Sequence, residues 1–197
     1  MNEFWEVFWS SFWKIYQLEL RNVSIKYLII FSLIGAGIVH MGYLIYARAV
    51  GQSVCLFGEL MRILLICYVI FIAQVSLLGR DMVGQVRVFD TKLLWIDQSM
   101  DQNITNLLNI ILFIPFGSLI AGTQMNKKSL NKTIMVVNYC FLLSLMIECS
   151  QYVTRRGYLE IDDIEANIIG GLVGSICFRL FSRIGRLYYK NTEVKNE

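Results

Sequence analysis

Glu148-CSQYVTRRGYLEIDDIEANIIGGLV-Gly174 decides what kind of fold this chain can adopt. It leaves one apolar segment, crosses a short polar connection and enters the next. Along it stand Glu148, Gln151, Arg155, Arg156, Glu160, Asp162, Asp163, Glu165 and Asn167. Hydrocarbon excludes such groups, so either the flanking segments lie in water or these side chains have a purpose inside a membrane protein. Composition decides between the two. Of the 197 residues, 56% are apolar and 17% are charged, whereas a soluble domain carries about 25% charged residues. A single Pro and few turn-rich blocks favour long helices over many short strands. The expected fold is all-α integral membrane, with about five transmembrane helices plus an N-terminal amphipathic interfacial helix.

Working outward, the fourth span runs from about Ile134 to Tyr152 and the fifth from Asp163 to about Phe181, joined by Val153 to Asp162. Upstream, Asn103 to Gly122 forms the third span, with Asn103, Asn106 and Asn109 stepping by three along one side. Pro115 in its interior removes a backbone donor and disturbs the carbonyl of Ile111, which predicts a kink. A freed carbonyl must be satisfied by neighbours, so Phe113 to Gly117 are expected to face protein. Leu60 to Leu78 and Tyr27 to Tyr46 supply the remaining two spans, each close to the about 20 residues that cross the hydrocarbon. Glu59 and Arg62 are spaced to pair at the membrane edge. His40 has no acidic partner at helical spacing within its span. Between the second and third spans, Gly79 to Gln102 mixes both signs of charge, and Trp95 with Leu93 and Leu94 suggests that part of it lies flat on the membrane.

Residues 1–22 carry Trp5, Trp9 and Trp13 with Phe4, Phe8 and Phe12, facing away from Glu6, Ser10, Lys14 and Gln17. A secretory signal peptide opens on basic residues, whereas Glu3 and Glu6 stand here. The segment is expected to lie in the membrane interface, where Trp gathers. The remainder, 23–197, reads as a single helical membrane domain without repeats or linkers.

A net charge of +3 is too small to imply nucleic acid, and the clustered Lys and Arg read as flanks of spans. The 18 Lys and Arg fall eight to one side and ten to the other. The Lys127, Lys128 and Lys132 block and the basic tail share the larger set, which favours a cytoplasmic C-terminus in a multi-pass cell-membrane protein. Cys55, Cys67, Cys140, Cys149 and Cys177 are scattered without a C-x-x-C pair, and there is one His. Neither a zinc site nor a disulfide framework results, and no cofactor or metal is expected.

Ser144, Glu148 and Gln151 share one face of the fourth span, and Asp163, Asn167, Gly170 and Gly174 share one face of the fifth. Gly170 and Gly174, widened by Gly171 and Ser175, allow another helix to approach to backbone contact. The short connection makes the two spans an antiparallel pair. Glu148 and Gln151 are therefore expected near Asp163 and Asn167, with Arg155, Arg156, Glu160 and Asp162 crowning the same end.

Three blocks carry a resemblance. Asn109-Ile-Ile-Leu-Phe-Ile-Pro115-Phe-Gly117 resembles the N-x-L-x-F-x-P-F-G span of the VanZ-like family of bacterial membrane proteins, whose namesake is associated with teicoplanin resistance. Glu148-Cys-Ser-Gln151 is similar to its E-x-x-Q block. Arg156, Asp162-Asp163, Asn167 and Gly170-Gly171 are similar to its R-x-x-x-D-x-D-D-x-x-x-N-x-x-G-G block. The blocks cover roughly Asn103 to Gly174, a VanZ-like core of about 103–181, and leave the first 80 residues outside. Glu160 stands where the family usually has Asp, Ile168 where Thr is common, and Arg87-Val-Phe-Asp replaces R-x-x-N-x-x-P-F.

Three functions fit the constellation. Its polar residues can satisfy one another and fix helix packing. They can bind or move an amphiphile, such as a lipid-linked cell-wall precursor or a lipoglycopeptide. In that case Arg155 and Arg156 clamp phosphate or carboxylate, while Asn109, Glu148, Gln151, Asp162, Asp163 and Asn167 orient polar groups. Finally, Glu148 can serve as a general acid or base of a membrane-embedded enzyme acting on a cell-wall lipid precursor. Asp162, Asp163 and Glu160 are then oxygen ligands able to hold a divalent cation, although no metal-ligand spacing of the usual kinds is present. Pro115, Gly117, Gly170, Gly171 and Gly174 are expected to act structurally. Membrane lipids are the expected surroundings, and the resemblance implies glycopeptide resistance or envelope homeostasis.

Overall fold

A computed structural model describes residues 2–20, 25–50, 56–78, 89–90, 99–124, 129–157 and 159–193. The elements in chain order are α1 (Asn2–Leu20), α2 (Ile25–Ala49), α3 (Leu56–Leu78), β1 (Phe89–Asp90), α4 (Met100–Thr123), α5 (Ser129–Thr154), β2 (Leu159–Glu160) and α6 (Ile161–Glu193). Five of the helices, α2 to α6, are long and apolar enough to cross a membrane. At about 1.5 Å per residue, even the shortest exceeds the roughly 30 Å hydrocarbon thickness. The expected spans each lie within one of these helices; most helices extend a few residues beyond them, α3 ends at Leu78 as expected, and α6 continues well past Phe181 to Glu193. Phe89–Asp90 and Leu159–Glu160 form a short parallel pairing, Phe89 opposite Leu159 and Asp90 opposite Glu160. The proposed membrane-lying stretch around Trp95 falls outside the described residues.

Alternation of direction places α1, the start of α4, the end of α5 and the start of α6 at one end of the bundle. Helix α1 packs against the start of α4, where Lys14 Nζ lies 3.4 Å from Asp101 Oδ2. Ile15 is buried against the protein, whereas Trp5, Trp9 and Trp13 stay about half exposed, edge-on to the Phe rings between them. Ile15 thus marks the docked side, and the Trp stripe lies at the surface. Helix α4 is started by a capping box: Ser99 Oγ accepts from the Gln102 amide at 3.3 Å and Gln102 Oε1 accepts from the Ser99 amide at 3.1 Å.

The core joins α3, α4 and α5 through Ile72, Phe113, Phe116, Ile120, Val136, Cys140 and Ile147. The closest helix pair is α4 with α6, which run parallel. A Cβ on Gly174 would collide with the carbonyl of Ile114, one on Gly170 with that of Ile110, and one on Gly117 with that of Gly171. The small-residue stripe therefore receives α4, while Gly171 faces Cys140 of α5. Ser118 Oγ donates across this seam to the Gly174 carbonyl at 2.9 Å.

Helix α4 runs through Pro115 without a break. Phe113, Phe116 and Gly117 are buried as expected, but Pro115 itself is exposed. The expectation that the whole segment faces protein is corrected here. Tyr68 Oη of α3 donates to the Leu112 carbonyl at 2.7 Å, in the turn that the proline distorts, so a neighbouring side chain reaches in while the ring stays outside.

His40 also gains what its own helix lacks. Its Nδ1 lies 3.8 Å from Oε2 of the buried Glu59, across the α2–α3 interface. Glu59 pairs with Arg62 as its spacing suggested. The Arg62 guanidinium also bonds Tyr43 Oη and lies 4.5 Å above its ring.

Candidate functional site

The polar end of the bundle is built by α4, α5 and α6 with the carbonyl end of α3. Glu148, Gln151, Asp162, Asp163 and Asn167 are all buried, joined by Asn106 and Ser144. Burying a polar group without a hydrogen bond is costly, and most such groups are paired. Asn109 Nδ2 donates to Asp163 Oδ1 at 2.7 Å, and Asn106 Nδ2 to Asp162 Oδ2 at 3.3 Å. Asn167 Nδ2 donates to Ser144 Oγ at 2.7 Å. Glu148 Oε2 accepts the backbone N–H of Glu160 at 3.1 Å, so it ties β2 to α5. Gln151 turns instead to α3 and donates to the Ser76 carbonyl at 2.9 Å.

Arg156 joins Gln151 there, its guanidinium donating to the Leu77 carbonyl at 2.9 Å. The last carbonyls of a helix have no intrahelical partner, and a cation beside them also answers the negative end of the helix dipole. Arg156 is thus a cap for α3. Arg155 is different: it is exposed, and its φ of 58° is left-handed. The Arg156 N–H closes onto the Gln151 carbonyl at 3.0 Å, which makes a Schellman-type ending with Arg155 in the position usually held by glycine. The two arginines that sequence places side by side therefore differ in setting, Arg156 bonded to the end of α3 and Arg155 exposed at the turn. Arg155→Gly is expected to stabilise the protein by about 1 kcal/mol, because glycine enters this conformation without a Cβ penalty. A thermal melt in detergent checks this; a lower melting temperature would show that the Arg155 side chain holds the turn in some other way.

Asp162 and Asp163 sit in the first turn of α6, where the free amides favour negative charge. With Glu160 they bring one carboxylate oxygen each to within 4.8 Å of one another. Among the described residues, this is the set whose spacing suits a shared cation, and hard oxygen ligands of this kind suit Mg²⁺ or Ca²⁺. Asparagine amide donors from α4 hold Asp162 and Asp163 in place, and the amino end of α6 favours their charge. β1 lies directly beside them, since Asp90 is in register with Glu160.

Sequence reasoning singled out Glu148, Gln151, Asp162, Asp163, Asn167 and Asn109, and the structure brings them to one end. It passed over Asn106 as a site residue, although the step of three from Asn103 to Asn109 was the available signal. It also missed the α3 carbonyls and the β1–β2 contact.

A family model described as VanZ/LLP1 matches residues 4–182. Neither a curated protein nor a solved structure is significantly similar to the chain. The match begins in α1 and so reaches well upstream of the core of about 103–181 that the motif blocks outline. Those blocks form the α4 proline turn, the end of α5 that binds β2, and the acidic start of α6. Because the match takes in all of these and every membrane-spanning helix, the chain belongs to the VanZ/LLP1 family.

Proposed function

We propose that this protein acts in the bacterial cell envelope by holding the polar part of an amphiphilic, lipid-anchored molecule at the acidic end of the bundle, and that this underlies a change in teicoplanin-type glycopeptide susceptibility. The observation that carries the reading is the gathering of Glu160, Asp162 and Asp163 at the first turn of α6. The three carboxylates lie close enough to share a cation or further hydrogen-bond donors beyond the asparagines of α4. An amine, a polyol or a metal-bridged phosphate on a ligand has that chemistry. In this reading the acidic end faces outward and the end of α6 lies in the cytoplasm.

The surrounding amides and Arg156 serve as scaffold, each bonded to another part of the protein. This favours a binding role over catalysis, since Glu148, the candidate acid–base group, holds the Glu160 amide. The decisive experiment is a susceptibility panel of strains lacking the protein, carrying it, or carrying the double variant Asp162→Asn, Asp163→Asn. The amides keep the size and some hydrogen bonds of the acids and remove their charge. Normal membrane abundance with teicoplanin susceptibility equal to the deletion strain is expected. Undiminished resistance in the variant would sink the proposal.

A further inference from the structure

On the face of α4 opposite Asn106 and Asn109 lies a second feature. At about 100° per residue, Ile114, Pro115, Ser118 and Leu119 point away from the polar stripe, and they form the floor of a cavity of about 800 Å³. Leu64, Cys67, Tyr68 and Phe71 of α3 wall one side, backed by Leu28 to Leu33 of α2, and Cys177, Phe178 and Phe181 of α6 wall the other. The groove is open along its outer flank, where Leu33 and Phe181 are among the more exposed large hydrophobic side chains of the described residues. All the lining lies inside helices that cross the membrane.

The walls are dry by construction. Tyr68 Oη is spent on the Leu112 carbonyl at 2.7 Å, Cys67 Sγ on the Ser32 carbonyl at 3.7 Å, and Ser118 Oγ on the Ile114 and Gly174 carbonyls at 3.0 and 2.9 Å. Ser32 Oγ is buried without a partner among the described residues. Ser32 Oγ apart, these polar side chains are spent within the protein, and the lining is otherwise apolar. We propose that this groove holds the acyl tails of one membrane phospholipid as a resident, ordered ligand.

Size separates this occupant from the alternative, a helix of a second copy. A spanning helix about 10 Å across and 30 Å long fills on the order of 2,400 Å³. Carbon–carbon contacts of about 3.5–4.0 Å make an alkyl chain about 4 Å wide, so a chain reaching the bilayer midplane about 15 Å away fills on the order of 200 Å³. Two such tails occupy on the order of 400 Å³ and fit within the cavity of about 800 Å³, whereas a whole spanning helix exceeds it about threefold. Lipid tails are as apolar as leucine, so the grip comes from packing against the concave wall rather than from the hydrophobic effect.

The test uses the full chain in bilayers of phosphatidylglycerol containing a fraction with a photoactivatable diazirine at mid-chain, and maps adducts by mass spectrometry. Adducts on Leu119 and Phe178 are expected to exceed several-fold those on Leu142 and Met146, which face lipid on the convex side of α5. Cys177→Phe, which fills the groove, is expected to bring that ratio towards one while leaving α5 labelling unchanged. A native ratio near one, or adducts replaced by crosslinks to a second copy, overturns the proposal. The groove lies across α4 from the acids, so Asp162→Asn, Asp163→Asn is expected to leave the labelling ratio unaltered, and the two proposals stand or fall separately.

Discussion

Gly174→Ala is expected to leave little folded protein in detergent extracts. The added methyl carbon would fall onto the carbonyl of Ile114 and lie 3.0 Å from the Ser118 amide. Both are backbone atoms of a packed helix, so no side chain can swing away. Relief requires α6 to move off α4, which breaks the Ser118–Gly174 bond and pulls Asp162 and Asp163 from Asn106 and Asn109. Overpacking of this kind costs about 3 kcal/mol or more when the backbone must shift. Gly37→Ala is the matched control. It lies in α2 with open space around the new carbon, and alanine is the better helix former by about 1 kcal/mol. Fluorescence-detected size exclusion and thermal melts of the two variants give the comparison. If Gly174→Ala melts within a few degrees of the native protein, the α4–α6 contact is looser than described and the acidic end has another support.

How much of this was legible in the sequence follows from which signals are local. A span announces itself by about 20 apolar residues in a row, so all five were readable from composition and length. The small stripe from Gly170 to Ser175 announces a close helix neighbour but not which one. The acceptor turns out to be α4, parallel and two helices back, rather than the hairpin partner α5. His40 and Glu59 lie on different helices, so no spacing rule could join them. The pairing of Phe89–Asp90 with Leu159–Glu160 is too short for any alternating pattern to show. Arg155 and Arg156 look equivalent as neighbours, and only the left-handed turn between α5 and β2 sends one outward and one onto α3. Pro115 was expected to face protein because its freed carbonyl needs a donor. Tyr68 supplies one to the same turn from α3, and the ring is left to floor a groove.

Glu148 offers the sharpest separation of positioning from charge. It is almost wholly enclosed, at 2% exposure, and its Oε2 accepts the Glu160 N–H at 3.1 Å. That contact helps to fix where β2 leaves α5, and therefore where Glu160 stands relative to Asp162 and Asp163. Glu148→Gln keeps a carbonyl oxygen for the same N–H, and is expected to match the native protein in abundance and to retain most of its effect on glycopeptide susceptibility. Glu148→Ala removes the acceptor and leaves a partly buried amide unsatisfied beside a cavity, a loss of about 2–3 kcal/mol. It is expected to lower the melting temperature and abolish the susceptibility effect, because the acidic cluster loses its frame. The pair of variants discriminates cleanly. Should Glu148→Gln be abundant yet inactive, the charge of Glu148 itself is what the ligand or reaction requires. The centre of the site then moves from the start of α6 to the end of α5, and the acid–base reading of Glu148 regains the ground that its bond to Glu160 now takes from it.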